Sequence, residues 1–330
     1  MKSGAMKGVA TALMAGLCLS GCAMPEKPKP GAIRINENPY PSTYQPYGSV
    51  PTLIRNAIVL DGEGGRIDNG SVLLVNGKVE AVGGADIAAP EGSTVIDAGG
   101  RYVTPGIIDV HSHLGDYPSP GVQSLSDGNE ATSPARPEVW AEHSVWPQDP
   151  GFSRAMANGG ITSLQILPGS ANLFGGRSVV LKNVPSRTVQ GMKFPGAPYG
   201  LKMACGENPK RVYGQKGGPA TRMANVAGYR AAFIEAAEYL KKHEPNGGKG
   251  DKKDDDEAGK RDLKNDTLAG AIHGDIRVHI HCYRADEMAT MLDLAKEFGF
   301  HIAAFHHGVE AYKIADKLAA AGTCGALWAD

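Results

Sequence analysis

The chain has 330 residues, 42% of them hydrophobic, which is enough for one large domain or two ordinary ones with a sizeable core. Lys and Arg number 34 against 35 Asp and Glu, and no basic face stands out, so the charge balance argues against a nucleic-acid partner. With 44 Gly and 22 Pro, the composition suits a loop-rich α/β protein better than a helical bundle.

Residues 1–22 stand apart from the fold. "MKSGAMKG" carries two lysines, and "VATALMAGLCLS" is a short apolar run. Such a segment reads as a secretory signal, too short for a stop-transfer span. Its end, "LSGC", resembles the lipobox of bacterial lipoproteins. The resemblance implies that Cys22 becomes the lipidated first residue of the mature chain, anchored to a membrane rather than threaded through it. An ordinary signal with a chance cysteine is the alternative. Ala23 follows Cys22 where an inner-membrane signal would have Asp, which points to the outer membrane of a bacterial envelope, facing the periplasm. Cys205, Cys282 and Cys324 then remain, an odd number without paired spacing, so no disulfide framework is expected.

Residues 23–51 are Pro-rich without apolar periodicity and read as an extended tether. Residues 52–104 break into short β-rich runs punctuated by Gly, with Asn76-Gly77 suited to a type I′ hairpin turn. They predict a small β-sandwich-like module. From residue 105 to 330 apolar runs alternate with helical stretches, predicting a parallel sheet, open or closed into a barrel. Met288, Met291, Leu292, Leu294 and Ala295 form the apolar face of one such helix. Residues 241–267 interrupt the rhythm with charge of both signs and read as a flexible surface insertion.

Histidines gather at the ends of the predicted strands. In a strand, residues i and i+2 face one side, so His111 and His113 of "GIIDVHSHLGDY" point into one space. Alone, such a pair is more often structural than metal-ligating. "RVHIHCY" repeats the pattern with His279 and His281, and "HIAAFHHG" adds His306 and His307 on a third strand. If the sheet closes, the strand ends meet at one face and imidazoles from separate strands converge, as a metal requires. A core of unpartnered histidines would be costly.

Five stretches together carry a family resemblance: "VTPGIIDVHSHLG", "GITSLQILPGSANLFGG", "LKMACGENPKRVYG", "HCYRADEM" and "HGVEAYKIADKLAAAG". From about Thr52 to the end, the charged insertion excepted, the chain resembles the amidohydrolase superfamily. It is similar to the imidazolonepropionase-like and dihydroorotase-like branches. The resemblance implies a metal-dependent (β/α)₈ TIM barrel beside a β-sandwich. The family's strand-1 histidines match His111 and His113, its strand-5 histidine His281, and its strand-6 histidine His307. His279 and His306 are then structural or supporting residues. The bridging ligand of two-metal members, a carboxylated lysine or a glutamate, matches Lys202 or Glu207. Strand alternation puts these two on opposite faces, and Glu207, at the predicted strand end, is preferred. The implied cofactor is one or two divalent ions, zinc by expectation.

The family also takes a strand-8 aspartate as ligand and general base. "GALWAD" resembles the start of strand 7, so the expectation is a barrel truncated at its C-terminus, or else an inactive copy. The implied reaction is hydrolysis of a C–N bond in an amide, cyclic amide or small peptide derivative. A non-catalytic envelope protein of the same fold is the alternative, and a deaminase ranks below both. Asn172 contacts substrate at the mouth or forms a tight turn. Arg284 binds a substrate carboxylate or pairs with Asp286 or Glu287.

Overall fold

The computed structural model describes residues 38–243 and 260–328. The signal segment with Cys22, residues 23–37 of the tether and the centre of the charged insertion lie outside the described residues.

The N-terminal strands are β1 (Thr52–Leu60), β2 (Arg66–Val75), β3 (Lys78–Gly83), β4 (Thr94–Asp97) and β5 (Tyr102–Val103). They form one sheet of order β3-β2-β1-β4, with β5 also beside β1. Val75 pairs with Lys78 across Asn76-Gly77, whose φ angles of 53° and 73° are the two positive values a type I′ turn needs. Ala57, Val59, Val72 and Ala98 make its small core.

Beyond it run β6 (Ile107–Ser112), α1 (Pro150–Gly159), β7 (Ile161–Ile166), β8 (Phe174–Lys182), α2 (Val189–Met192), β9 (Gly200–Ala204), α3 (Glu207–Tyr213), α4 (Arg222–His243), α5 (Leu263–His273), β10 (Arg277–His281), α6 (Ala285–Phe298), β11 (Ile302–His306), α7 (Ala315–Ala320) and β12 (Cys324–Ala326). The strands form a seven-stranded sheet in chain order from β6 to β12. The expected all-parallel arrangement fails at one strand: β8 runs antiparallel to both β7 and β9. The reason is its connection. Only the short loop 167–173 separates β7 from β8, and a parallel return needs a crossover of about a dozen residues or more.

The sheet is strongly curled. β6 and β11 are five places apart in the strand order, which in a flat sheet is roughly 24 Å at ~4.8 Å per strand. Yet His111 on β6 and His306 on β11 approach to 2.8 Å through their Nδ1 atoms. Alternate residues therefore face a barrel-like interior, while Leu201, Met203, Val278, Ile280 and Phe305 pack outward with Tyr229, Phe233, Met288 and Met291 of the helices. The helices cover the outer face over β9, β10 and β11, whereas Ile108 and Val110 of β6 are exposed.

Local chemistry sets the helix ends. Asp149 caps α1 by accepting from the Gly151 amide at 2.8 Å, Pro150 opens the helix, and Gly160 closes it at φ 62°. Asp262 caps α5 in the same way. That helix corrects the insertion's limits, because Asp266 and Thr267 are buried. Asp266 accepts from Tyr239 Oη at 2.6 Å, and Thr267 Oγ1 accepts from Arg177 Nε at 2.8 Å. The tether reading is corrected likewise for residues 38–47. Ser42 Oγ donates to the Lys193 carbonyl at 2.6 Å, the Thr43 amide to Gln190, and Tyr47 Oη to Pro185. This segment is strapped to α2 and the chain on either side of it, between β8 and β9.

Cys205 and Cys282 form a disulfide, against the expectation of none. Their sequence separation of 77 hides the pairing, but each directly follows one of two adjacent parallel strands, β9 and β10, with Cα atoms 5.2 Å apart. Cys324 is free and exposed. Among the described residues no helix is long and apolar enough to cross a membrane.

Candidate metal centre

Strand register selects which side chains share the interior. Lys202 on β9 pairs with His279 on β10, and His281 pairs with His306 on β11. Partnered residues of parallel strands project to the same side, so these four face one space. β6 brings His111 and His113 to it from the far side of the curl.

The six histidines form one cluster. His111 Nε2 lies 3.3 Å from His113 Nε2. The His307 ring centroid lies 4.6 Å from that of His111 and 4.7 Å from that of His281. His306 joins His111 to His279, with its Nε2 3.0 Å from His279 Nδ1. Alternation alone would send His306 and His307 to opposite faces. Both reach the cluster because His307 takes the left-handed region at φ 58°, a costly conformation for a residue with a β-carbon.

Hydrogen bonds aim individual rings. His113 Nδ1 donates to the Leu167 carbonyl at 2.7 Å, which leaves Nε2 with its lone pair toward the cluster. Asn208 Nδ2 sits 3.0 Å from His281 Nε2 and donates to Ser170 Oγ at 2.8 Å. Gln165 Nε2 lies 3.1 Å from His279 Nε2, deeper in the barrel.

Lys202 is fully buried, its amine donating to the Pro168 carbonyl at 3.0 Å. Desolvation brings its pKa down to about 7. Burial also lowers all six histidines, and the Lys202 charge depresses each further. His279 and His307 fall to about 4 and His281 to about 3. The rings are therefore neutral at pH 7, the form that binds metal.

The other expected site residues lie elsewhere or serve locally. Glu207 is exposed at the first position of α3, so Lys202 and not Glu207 stands among the histidines. Asn172 is buried, and its Nδ2 lies 2.8 Å from each of the Glu130 carbonyl, the Ser133 carbonyl and Tyr213 Oη. It pins the loops around it. Arg284 is exposed and makes a two-pronged pair with Asp286 at 2.9 Å, the local alternative to a substrate contact. His306 and Asn208 had only weak sequence signals: an adjacent histidine, and a polar residue opening a helix.

The donor set fits a divalent cation. Neutral imidazoles from β6, β10 and β11 converge on one interior, and His281 Nδ1 is buried without a partner. A buried imidazole nitrogen without a hydrogen-bond partner is a donor of the kind a metal takes.

Similar proteins match most or part of this chain. A solved amidohydrolase from Thermotoga maritima is 38% identical, with a TM-score of 0.75 over 84% of this chain and 70% of that one. An amidohydrolase of Hapsidospora irregularis is 34% identical over 82% of this chain, and a dihydroorotase of Geobacter sp. (strain M21) is 35% identical over 38% of it. The chain spans 30% and 24% of the lengths of these two relatives. No family model matches it.

Proposed function

Because this chain belongs to the amidohydrolase superfamily, we propose that it hydrolyses a C–N bond at a divalent metal centre, with an amide, cyclic amide or small peptide derivative as substrate. The convergence of six histidines on Lys202 carries the reading. His111, His113, His281 and His307 would hold the metal, with His306 and His279 supporting them from below. Lys202, as the carbamate formed when its free amine adds to carbon dioxide and loses a proton, would supply an anionic ligand to that centre. When bound, a divalent cation supplies Lewis acidity toward the scissile carbonyl.

The chain's own residues prepare that chemistry. The Leu167 carbonyl holds the His113 tautomer, and Asn208 with Ser170 orients His281. Burial keeps the rings neutral and strengthens each electrostatic contact in the cavity. The proposed architecture is that of a (β/α)₈ barrel with the site at the C-terminal ends of its strands.

The test is metal analysis of purified protein, with amine and ammonia release measured from N-acyl amino acids, dipeptides and cyclic amides. The expected result is stoichiometric zinc that falls in His111→Ala and His281→Ala, with amine as product. Absence of bound metal in protein refolded with zinc would overturn the reading. The lipid anchor is a separate proposal, supported by residues 1–22 alone. Fatty-acid labelling lost in Cys22→Ala would support it, and labelling unchanged in that variant would reject it.

A further inference from the structure

The Cys205–Cys282 pair lies outside the barrel interior. Both cysteines pack in the outward core with Tyr229, Met288 and Met291. Alternation along β9 and β10 puts them on the opposite side of the sheet from Lys202 and His281.

The two sulfurs have a carboxylate beside them. Glu287, in the first turn of α6, brings its Oε2 to 3.9 Å from Cys205 Sγ. Both sulfurs and one carboxylate oxygen lie within 4.8 Å of one another. The second oxygen, Oε1, pairs with Arg222 at the start of α4. That pair fixes the direction of the carboxylate and leaves Oε2 on the sulfur side. Gly206 permits the approach: a β-carbon there would stand 2.8 Å from Glu287 Oε2, and its φ of 74° is one that glycine tolerates. A cavity of about 440 Å³ opens onto the group, walled by Cys205, Gly206, Arg222, Met223, Glu287 and Thr290. It gives a route from solvent to Cys205, which is otherwise buried.

Two thiolates and a carboxylate are a donor set for a borderline-soft cation, whereas magnesium and calcium take oxygen ligands. On a tetrahedral zinc with Zn–S bonds of about 2.3 Å, neighbouring ligand atoms sit about 3.8 Å apart. The 3.9 Å between Cys205 Sγ and Glu287 Oε2 already matches that spacing. We propose that this group is a redox-gated zinc site, separate from the histidine centre. Oxidised, it is the disulfide. Reduced, it holds zinc on the Cys205 and Cys282 thiolates and Glu287, with water from the cavity in the fourth position. The proposal goes beyond the C–N hydrolase reading and does not depend on it.

An external dithiol performs the exchange. One of its thiolates attacks Cys205 Sγ from the cavity, and the Cys205–Cys282 bond breaks with its electron pair on Cys282 Sγ. The reductant's second thiolate then attacks the mixed disulfide and displaces Cys205 Sγ. The reductant leaves as a disulfide, oxidised by two electrons, and its two protons pass to the protein's sulfurs. Zinc binding releases those two protons.

The test uses the full chain carrying Cys18→Ser, Cys22→Ser and Cys324→Ser, so that the pair is its one source of thiols. It is reduced with dithiothreitol, freed of the reductant without air and titrated with cobalt(II) beside the oxidised form. Histidine ligands give cobalt no sulfur charge-transfer band, so the two centres are told apart by their spectra. The reduced chain should take up one more equivalent of cobalt than the oxidised chain, with a thiolate-to-cobalt band in the near ultraviolet that zinc abolishes. Cys205→Ala with Cys282→Ala should lose both the band and the extra equivalent. Glu287→Gln keeps both sulfurs and should weaken the extra uptake about tenfold, the scale of one lost charged contact. Circular dichroism follows the fold in each state. Where reduction loosens the fold, zinc should restore the native spectrum at about tenfold lower concentration in the parent than in Glu287→Gln. A reduced chain that gives no thiolate-to-cobalt band overturns the proposal. So does a band of unchanged affinity in Glu287→Gln, since the carboxylate would then not be a ligand.

Discussion

His279 and His281 show what burial does to single residues in this cluster. Their pKa values fall from 6.5 to about 4 and about 3, first because they are desolvated and then because positive neighbours crowd them. The metal-free folded protein therefore refuses protons that the unfolded chain accepts below its ordinary histidine pKa. Unfolding then gains protons as pH falls, so stability is lost on acidification. Between about pH 6.5 and about pH 5 each of these two histidines is expected to cost roughly 1 kcal/mol per pH unit. Urea midpoints of the metal-free protein measure this, and a midpoint flat across that range would contradict it. The cluster's composition was only partly legible in sequence. Strand alternation picked out His111, His113 and His281, because alternation is local. His306 and Lys202 needed the register of β9, β10 and β11, and His307 needed a left-handed backbone that no residue type announces.

At the scale of elements, one carboxylate and one disulfide hold the strand ends around the site. Asp149 caps α1 and also accepts from the Gly115 and Ser119 amides at 3.0 and 3.2 Å, tying the chain after β6 to the helix before β7. Asp149→Ala removes a cap and strands two further amides, with an expected loss of about 3 kcal/mol in chemical denaturation. Asp149→Asn should recover part of it. The Cys205–Cys282 bond closes a loop with a sequence separation of 77. Chain entropy assigns such a link roughly 4 kcal/mol, so reduction by dithiothreitol should lower the denaturation midpoint while Cys324→Ser leaves it unchanged. Helix boundaries were readable beforehand from Asp149-Pro150 and Gly160, since capping is set within a few residues. The direction of β8 was not, because an apolar β-rich run reads alike whichever way it is laid down.

For the molecule as a whole, the strap at residues 38–47 ends in a buried charge network. Lys193 Nζ lies 2.7 Å from Glu142 Oε2 and donates to the Tyr40 carbonyl at 2.7 Å, to Asn38 Oδ1 at 3.0 Å and to Tyr199. Beside it Arg177 stacks on Trp140, 4.2 Å from the ring centroid. Lys193→Met leaves Glu142 buried without its cation and should cost about 3–5 kcal/mol, whereas Lys193→Met with Glu142→Leu should recover most of that loss. Thermal denaturation of both variants decides it, and equal losses would show that the pair itself is not the source. Nothing in the Pro-rich composition of this segment pointed to docking, because its partners lie some 150 residues away, with separations of 151 for Ser42 and 155 for Asn38.

The amino-acid sequence by itself determined where strands and helices form, which side chains each strand presents together, and that histidines collect at strand ends. Those properties depend on periods of two and 3.6 residues and on caps, all local. Tertiary structure alone decided which histidines meet, that Lys202 rather than Glu207 joins them, that β8 reverses and that Cys205 finds Cys282. Each of these depends on sheet curl and register, which arise from packing between segments far apart in the chain and leave no mark on the residues nearby.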